Sequence, residues 1–333
     1  MKSEKIYTML TAALFIIAPL AAMTFGRFHV TLSDTAAVLF PWLGFPESEE
    51  MVREVIINIR LPRVILAMAA GAGLGVSGGA FQALFSNPLA TPDTLGVATG
   101  ASFGAVLGIL FGVPSYMVQF FALAAGIAAV TLVLIVSRIR GSSQMIMMIL
   151  SGMVVSALFS ALVSLVKYAA DPQDVLPAIT FWLMGSLSGC TRADLLRGLP
   201  PLAAGMIALW LCRWKLNAMT LSEDEAQSLG INVKRVRLFV ITASALITAS
   251  VVSMCGLIGW VGLLIPHAAR MLYGNDNRRV IPASMVLGAL FMLVIDTIAR
   301  SAAASEIPAS ILTAVIGAPF FIFLLRRTGG ILS

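Results

Sequence analysis

Residues 94–137 contain no Asp, Glu, Lys or Arg. That run is about twice as long as one helix needs to cross a hydrocarbon core, for which about 20 apolar residues suffice. Pro114 stands near its middle, so it reads as two membrane helices joined by a turn. Uncharged stretches of this length read as membrane-crossing helices. The rest of the chain agrees: 59% of its 333 residues are hydrophobic and 11% are charged, against roughly 45–50% and 25% in a soluble domain. Soluble enzymes and nucleic-acid-binding proteins are excluded on that ground.

Uncharged stretches give ten spans within a single transmembrane domain, at 6–26, 64–88, 94–112, 115–137, 144–166, 198–212, 236–255, 256–272, 280–299 and 307–325. Two alternatives compete with this count. Residues 178–190 can be read as a short eleventh crossing interrupted by Gly185 and Gly189, and 238–269 as one long helix. Basic residues gather in cytoplasmic loops. Ten spans with both termini inside place 14 of the 22 basic residues there, more than either alternative. The first apolar run follows Lys2 and Lys5 as in a signal peptide. At about 20 residues, and without a small-x-small cleavage site, it reads as the first span.

Several familiar patterns arise from composition alone. Gly73–Gly78 spells GxGxxG and Gly75–Gly79 spells GxSxG around Ser77, with His267 as a conceivable partner in an intramembrane protease. Both lie inside an apolar span, where the first lacks the strand it requires. Gly71, Gly75 and Gly79 recur every four residues, as do Gly96, Gly100, Gly104, Gly108 and Gly112. Small residues at that spacing let helices approach closely in lipid, so all eight are expected at helix contacts. Cys190, Cys212 and Cys255 are scattered, His29 and His267 are the only histidines, and no HExxH or GxxxxGK[ST] occurs. No metal site and no nucleotide site of the chain's own is expected.

Charge inside the membrane is costly, and the spans nearly avoid it. Asp296 is the exception, four residues before Arg300 and able to pair with it. The scarcity of buried acids and histidines argues against a proton-coupled carrier and towards energy supplied by another subunit. One inner loop suits such a subunit. Ser222 followed by Glu225 is a capping box, Glu223 and Asp224 add acids to the first turn, and Gly230 is a stop signal. A short helix within 220–232 can offer Leu221, Ala226 and Leu229 to a groove, or can be an ordinary solvated connector. On the other side, Arg60 and Arg63 flank Pro62, where they can snorkel to headgroups or meet an acidic partner.

RLPR at 60–63, SGGAFQALFSNPLATPDTLG at 77–96, SEDEAQSLG at 222–230, VGLLIPHAAR at 261–270, DTIAR at 296–300 and EIPASILTAVIGAPFFIFLLRR at 306–327 together resemble the iron-chelate uptake (FecCD-type) ABC permeases. The vitamin B12 importer's membrane subunit belongs to that family. The resemblance implies a type II ABC importer permease of ten helices in a bacterial inner membrane. It implies a homodimer, or a pair with a close paralogue, with the path along the dimer axis. Two partner subunits would bind ATP and Mg, and a periplasmic binding protein would deliver cargo. The chain itself would be no enzyme and hold no cofactor.

By the same resemblance, Leu221–Ala226 with Leu229 and Gly230 couple to the ATPase, and Arg60, Arg63 and Arg300 meet glutamates of the binding protein. Asn87 and Leu89 form a cytoplasmic gate, with a second gate element around Ser142, Ser143 and the following Met145 and Ile146. IPAS at 307–310 departs from the more usual LPxG. Ferric siderophores are the leading cargo class, with haem, cobalamin or an oxyanion as alternatives. An ion-gradient carrier is the rival outside the ABC class.

Overall fold

The computed structural model describes residues 2–46, 48–138, 144–303 and 305–329. Every regular element among them is helical. Helix α1 covers Lys2–Thr24 and a short α2 covers Leu32–Leu39. Helix α3 (Glu50–Glu54) runs through a wide turn at Val55–Arg60 into α4 (Leu61–Leu84). Then follow α5 (Val97–Leu110), α6 (Ser115–Val136), α7 (Gln144–Ala169), α8 (Val175–Leu183), α9 (Arg192–Ala218), α10 (Glu223–Ser228), α11 (Val233–Cys255), α12 (Val261–Tyr273), α13 (Asn277–Ser301) and α14 (Ala309–Gly329). Each of the ten expected spans contains a helix: seven are long and apolar enough to cross, α5 and α14 are shorter apolar ones, and α12 is a 13-residue helix that carries His267 and Arg270.

The boundaries differ instructively. The second membrane helix begins at Glu50, well before residue 64, because Pro62 falls in the first turn of α4, and the preceding π-type turn carries the chain past it without a break. A proline ring crowds the carbonyl four residues earlier, and a widened turn relieves that clash. Residues 178–190 do not cross: α8 ends at Leu183 and the chain then turns. Residues 238–269 form two helices, divided by Gly256 and Trp260 at positive φ.

Helix α4 is the axis of the fold. It packs against α13, α12, α11 and α9, and all but four of its residues are buried. α1 and α7 lie at the periphery with mostly exposed side chains, as befits lipid-facing or partner-facing helices. The glycine pattern explains how α4 accepts so many neighbours. A Cβ on Gly71 would lie 2.0 Å from the Gly288 carbonyl oxygen of α13, and one on Gly75 2.5 Å from that of Ser284. Gly78, outside the four-residue repeat, is tighter still: its Cβ would lie 1.8 Å from the Gly262 oxygen of α12. Gly79 is a looser contact, with Ile281 at 3.4 Å.

The second stripe is only partly a packing stripe. Gly100, Gly104 and Gly108 of α5 face α6, where a Cβ on Gly104 would meet the Phe121 carbonyl oxygen at 2.1 Å. Gly96 and Gly112 lie outside α5, at φ +73° and +62°. They serve the turns that begin and end the helix, where a left-handed conformation favours glycine; Gly96 is a close contact as well, since a Cβ there would lie 3.0 Å from Ser156 Oγ of α7, whereas Gly112 meets open space.

Gly71→Ala should therefore cost about 1–3 kcal/mol as overpacking against backbone that cannot yield, while Gly79→Ala should be neutral or slightly stabilising through helix propensity. Thermal unfolding of the purified variants in detergent checks this. Equal melting points for the two would remove close approach as the role of the α4 stripe.

Candidate functional site

One end of the bundle carries the short helix α10. Ser222 Oγ accepts from the Glu225 N–H, and the Ser222 N–H donates to Glu225 Oε2 at 3.0 Å, closing the capping box. The Ser222 hydroxyl and backbone hold the Glu225 carboxyl below its ordinary pKa. Gly230 ends the segment at φ +78°, with its N–H donating to Gln227 O and that of Ile231 to Ala226 O. The segment 220–232 thus holds one short helix, after which Val233 already begins α11. Ala226 is 1% exposed and belongs to the core, so it is not available to a partner. A six-residue helix must turn one face inward, and Ala226 is that face. Leu221 and Leu229 remain exposed at 46% and 64%.

The helix is anchored as well as capped. Glu223 pairs with the buried Arg237 of α11 at 3.9 Å. Behind it, Asn217 donates to Asp276 Oδ1 at 2.6 Å and accepts from the Asn277 N–H, tying the end of α9 to the start of α13. That hydrogen bond holds the Asp276 carboxyl below its usual range. A cavity of about 500 Å³ separates α10 from Ser86 and Met145. Ser86 opens the loop after α4 with φ +47°. In that loop Asn87 Oδ1 accepts from the Leu89 N–H at 2.9 Å, and the Asn87 N–H donates to Gln82 O. Asn87 and Leu89 are both exposed. The loop therefore reaches the same end of the bundle as α10. Ser142 and Ser143 lie outside the described residues.

The opposite end holds a buried charge cluster. Arg63 donates through Nε to Asp296 Oδ1 at 2.7 Å and through Nη1 to Glu306 Oε1 at 2.8 Å. Arg300 Nε stands 3.4 Å from Asp296 Oδ2, and its Nη2 donates to Ala22 O at 2.5 Å. Arg60 donates to the carbonyls of Met23 and Phe28. Asp296 thus joins α4 to α13 as well as pairing along its own helix. All three arginines are buried and point into the chain, and the expected Asp296–Arg300 pair is present. Arg63 finds acceptors that one-dimensional spacing hides, 233 and 243 residues away. Burial pushes the Glu306 carboxyl up, but the Arg63 hydrogen bond and charge more than offset this and leave it lowered.

Two motif readings are settled by position. Ser77 is fully buried between helices, with the Ser244 carbonyl and Thr248 hydroxyl of α11 each 3.4 Å from its Oγ. His267 is not among its hydrogen-bond partners, so no nucleophile–base pair exists there. Among the described residues no group of His, Cys, Asp and Glu could hold a metal ion. Sequence reasoning missed residues 184–186. The Ser186 N–H donates to Cys255 O, while Ala309 N–H and Ser310 Oγ donate to Gly185 O and Met184 O. The helix break at 256–260 and the start of α14 are closed by this segment, as irregular backbone at membrane depth requires. The lone signal for it was the pair Gly185 and Gly189.

Comparison with known proteins gives the wider setting. The profile of the FecCD transport family matches residues 13–327. The chain belongs to the FecCD transport family. It is 39% identical over 319 residues to the molybdate import system permease protein MolB of Haemophilus influenzae, covering 95% of each chain. It is 37% identical over 319 residues to the probable iron chelatin transport system permease protein of Helicobacter pylori, covering 95% of this chain and 97% of that one. A solved structure described as an inward-facing metal-chelate type ABC transporter superposes with a TM-score of 0.87 at 38% identity, covering 95% and 97% of the two chains. The chain is therefore an ABC importer permease, a membrane transport subunit whose ATP hydrolysis falls to partner ATPases. A gradient-driven carrier and an intramembrane protease are excluded.

Asp296→Asn should cost about 3–5 kcal/mol, because it leaves buried arginine charge uncompensated. For Glu306 the sign follows from its lowered pKa. Its contribution is present above the unfolded value of about 4.3 and is lost as pH falls through the lower folded value. Melting points measured from pH 7 to pH 3 should fall for the native chain below about pH 4.5. Glu306→Gln should start lower and fall less steeply. Parallel curves would show that the Glu306 pairing contributes nothing.

Proposed function

We propose that this chain is the membrane subunit of a bacterial inner-membrane importer for an iron chelate, a ferric siderophore foremost. On this reading it sits with α10 in the cytoplasm and both termini inside, and acts as a homodimer or with a close paralogue. Two ATPase subunits, which bind ATP and Mg, seat on α10, and a periplasmic binding protein delivers cargo to the opposite end. The observation that carries the reading is α10 itself. A capped, salt-bridged helix presents Leu221 and Leu229 to solvent, and the cavity beside it is walled on the other side by Ser86, which opens the 86–89 loop. Rigid capping suits a lever better than a solvated connector, which needs no inward-facing alanine or buried arginine to hold it.

Docking of a binding protein at Arg60, Arg63 and Arg300 requires its carboxylates to displace the internal acceptors. Arg63 is the accessible point of exchange, since its partner Glu306 is a third exposed. Relatives are named for haemin and cobalamin as well as for iron chelates and molybdate. The H. influenzae relative at 39% identity is named for molybdate, so an oxyanion is the second reading.

Replacing Leu229 and Gly230 with Asp should abolish co-purification of an ATPase subunit and reduce ATP-driven uptake at least tenfold, without unfolding the bundle. Pull-down from the native host, followed by an ATPase assay in nanodiscs, reads the first. Uptake of radio-iron as a ferric siderophore, against labelled molybdate, reads the second and separates the two cargo classes. A native chain that recovers no ATPase subunit, or a variant that transports normally, would overturn the assignment of α10.

A further inference from the structure

The PHAAR segment of α12 is part of no site described so far, yet its His267 and Arg270 line a cavity at the α10 end. This cavity, of about 590 Å³, lies where α4, α12 and the start of α13 converge. Gln82, Asn87, Thr220, His267, Arg270 and Asn275 contribute to its wall, and no carboxylate does. Its size falls within the range typical of small-ligand sites. His267 and Arg270 are three residues apart and so share one side of α12.

Arg270 differs from Arg63, Arg237 and Arg300 in having no carboxylate partner among the described residues, and from Arg60, whose guanidinium is committed to two backbone carbonyls. Arg63 and Arg300 have carboxylates and Arg237 has Glu223. Arg270 has only the Gln82 side-chain oxygen, and among the described residues no acid pairs with it. That glutamine is itself fixed. It is 3% exposed, and its amide nitrogen donates to Leu263 O at 3.2 Å and Gly262 O at 3.4 Å, which turns its oxygen towards Arg270. The guanidinium is thus oriented by a buried neighbour while most of its five donors stay uncommitted. A charged fork of this kind, oriented and half-buried without a counter-ion, matches the bidentate geometry of carboxylates and tetrahedral oxyanions.

We propose that Arg270, positioned by Gln82 and accompanied by His267, forms an anion-binding site in this cavity for a carboxylate- or oxyanion-bearing solute. The site deepens the importer reading and rests on it only for facing the cytoplasm. An anionic group arriving at the cytoplasmic mouth, whether carried by cargo or free in the cytosol, meets a pre-oriented positive charge beside the Asn87 loop. Asn87, Thr220 and Asn275 add neutral polar groups around it.

Direct binding to the purified full-length permease tests this without an ATPase or an uptake assay, so failure of the site and failure of the importer reading remain distinct. Citrate, sulfate and inorganic phosphate are titrated calorimetrically into the chain in neutral detergent at low ionic strength. One of them should bind saturably at one per chain, and Arg270→Gln should weaken it at least tenfold. Arg270→Lys, which keeps the charge but loses the fork, should fall between, and Arg235→Gln at an exposed position of the same end should bind normally. Tryptophan-monitored melting of each variant confirms that it is folded, and Arg270→Lys keeps the test decisive if Arg270→Gln is not. Preference for citrate supports the site with a carboxylate cargo as occupant, and preference for phosphate supports it with a cytosolic anion. Binding of none of the three, or equal binding by native and Arg270→Gln chains, overturns the proposal.

Discussion

Everything in this fold depends on how closely backbone can approach backbone around α4. In lipid there is little hydrophobic drive between helices, so association relies on dispersion at short range and on polar contacts. At Gly71 and Gly78 the neighbouring carbonyl oxygens occupy the space a methyl group would need. These contacts draw α13 and α12 onto α4, and α11 and α9 close the remaining sides. Only after that approach can Arg63 reach Asp296 across the α4–α13 seam, or Gln82 reach Arg270 across the α4–α12 seam. The polar features at both ends of the bundle are consequences of the apolar packing between them.

The membrane helices were legible in the sequence because charge is nearly absent from them and proline or glycine marks their ends. Pro114 falls between α5 and α6, and the capping box at Ser222 predicts α10 to within a residue. Each of those signals is local, confined to a few consecutive residues. What stayed hidden was non-local. The partners of Arg63 lie on α13 and just before α14, and nothing at 60–63 indicates that the side chain turns inward. The start of the second helix was misplaced for a related reason, since a proline reads as a beginning unless a widened turn lets helix precede it. Ala226 reads as contact surface until the inward face of α10 is known. Gly112 shows that a period of four persists by chance into a turn, where glycine serves backbone conformation and not packing.

The two ends of the bundle also differ in how they treat charge. At the arginine end positive side chains meet carboxylates or backbone carbonyls, so the cluster is closed on itself and opens only by exchange. At the α10 end Arg270 faces a polar cavity with no acid in its wall. A transporter that receives cargo from a protein and releases it to solution has use for both arrangements. A closed pairing can be traded for an incoming carboxylate, and an open one can hold an anion only transiently.

The segment at 184–186 gives the arginine end a further property. Met184, Gly185 and Ser186 are hydrogen-bonded to the last residue of α11 and the first residues of α14. Three chain segments far apart in sequence are thereby clamped into a single plate, with α8 as its short handle. A slide of α14 alone would break the hydrogen bonds that Ala309 and Ser310 make to Gly185 and Met184. Motion of α14 must instead carry the break at 256–260 with it, and that break is where α12 begins. The far end of α12 bears His267 and Arg270. Helix α12 is thus the rod that joins this hydrogen-bonded corner to the polar cavity at the other end of the bundle.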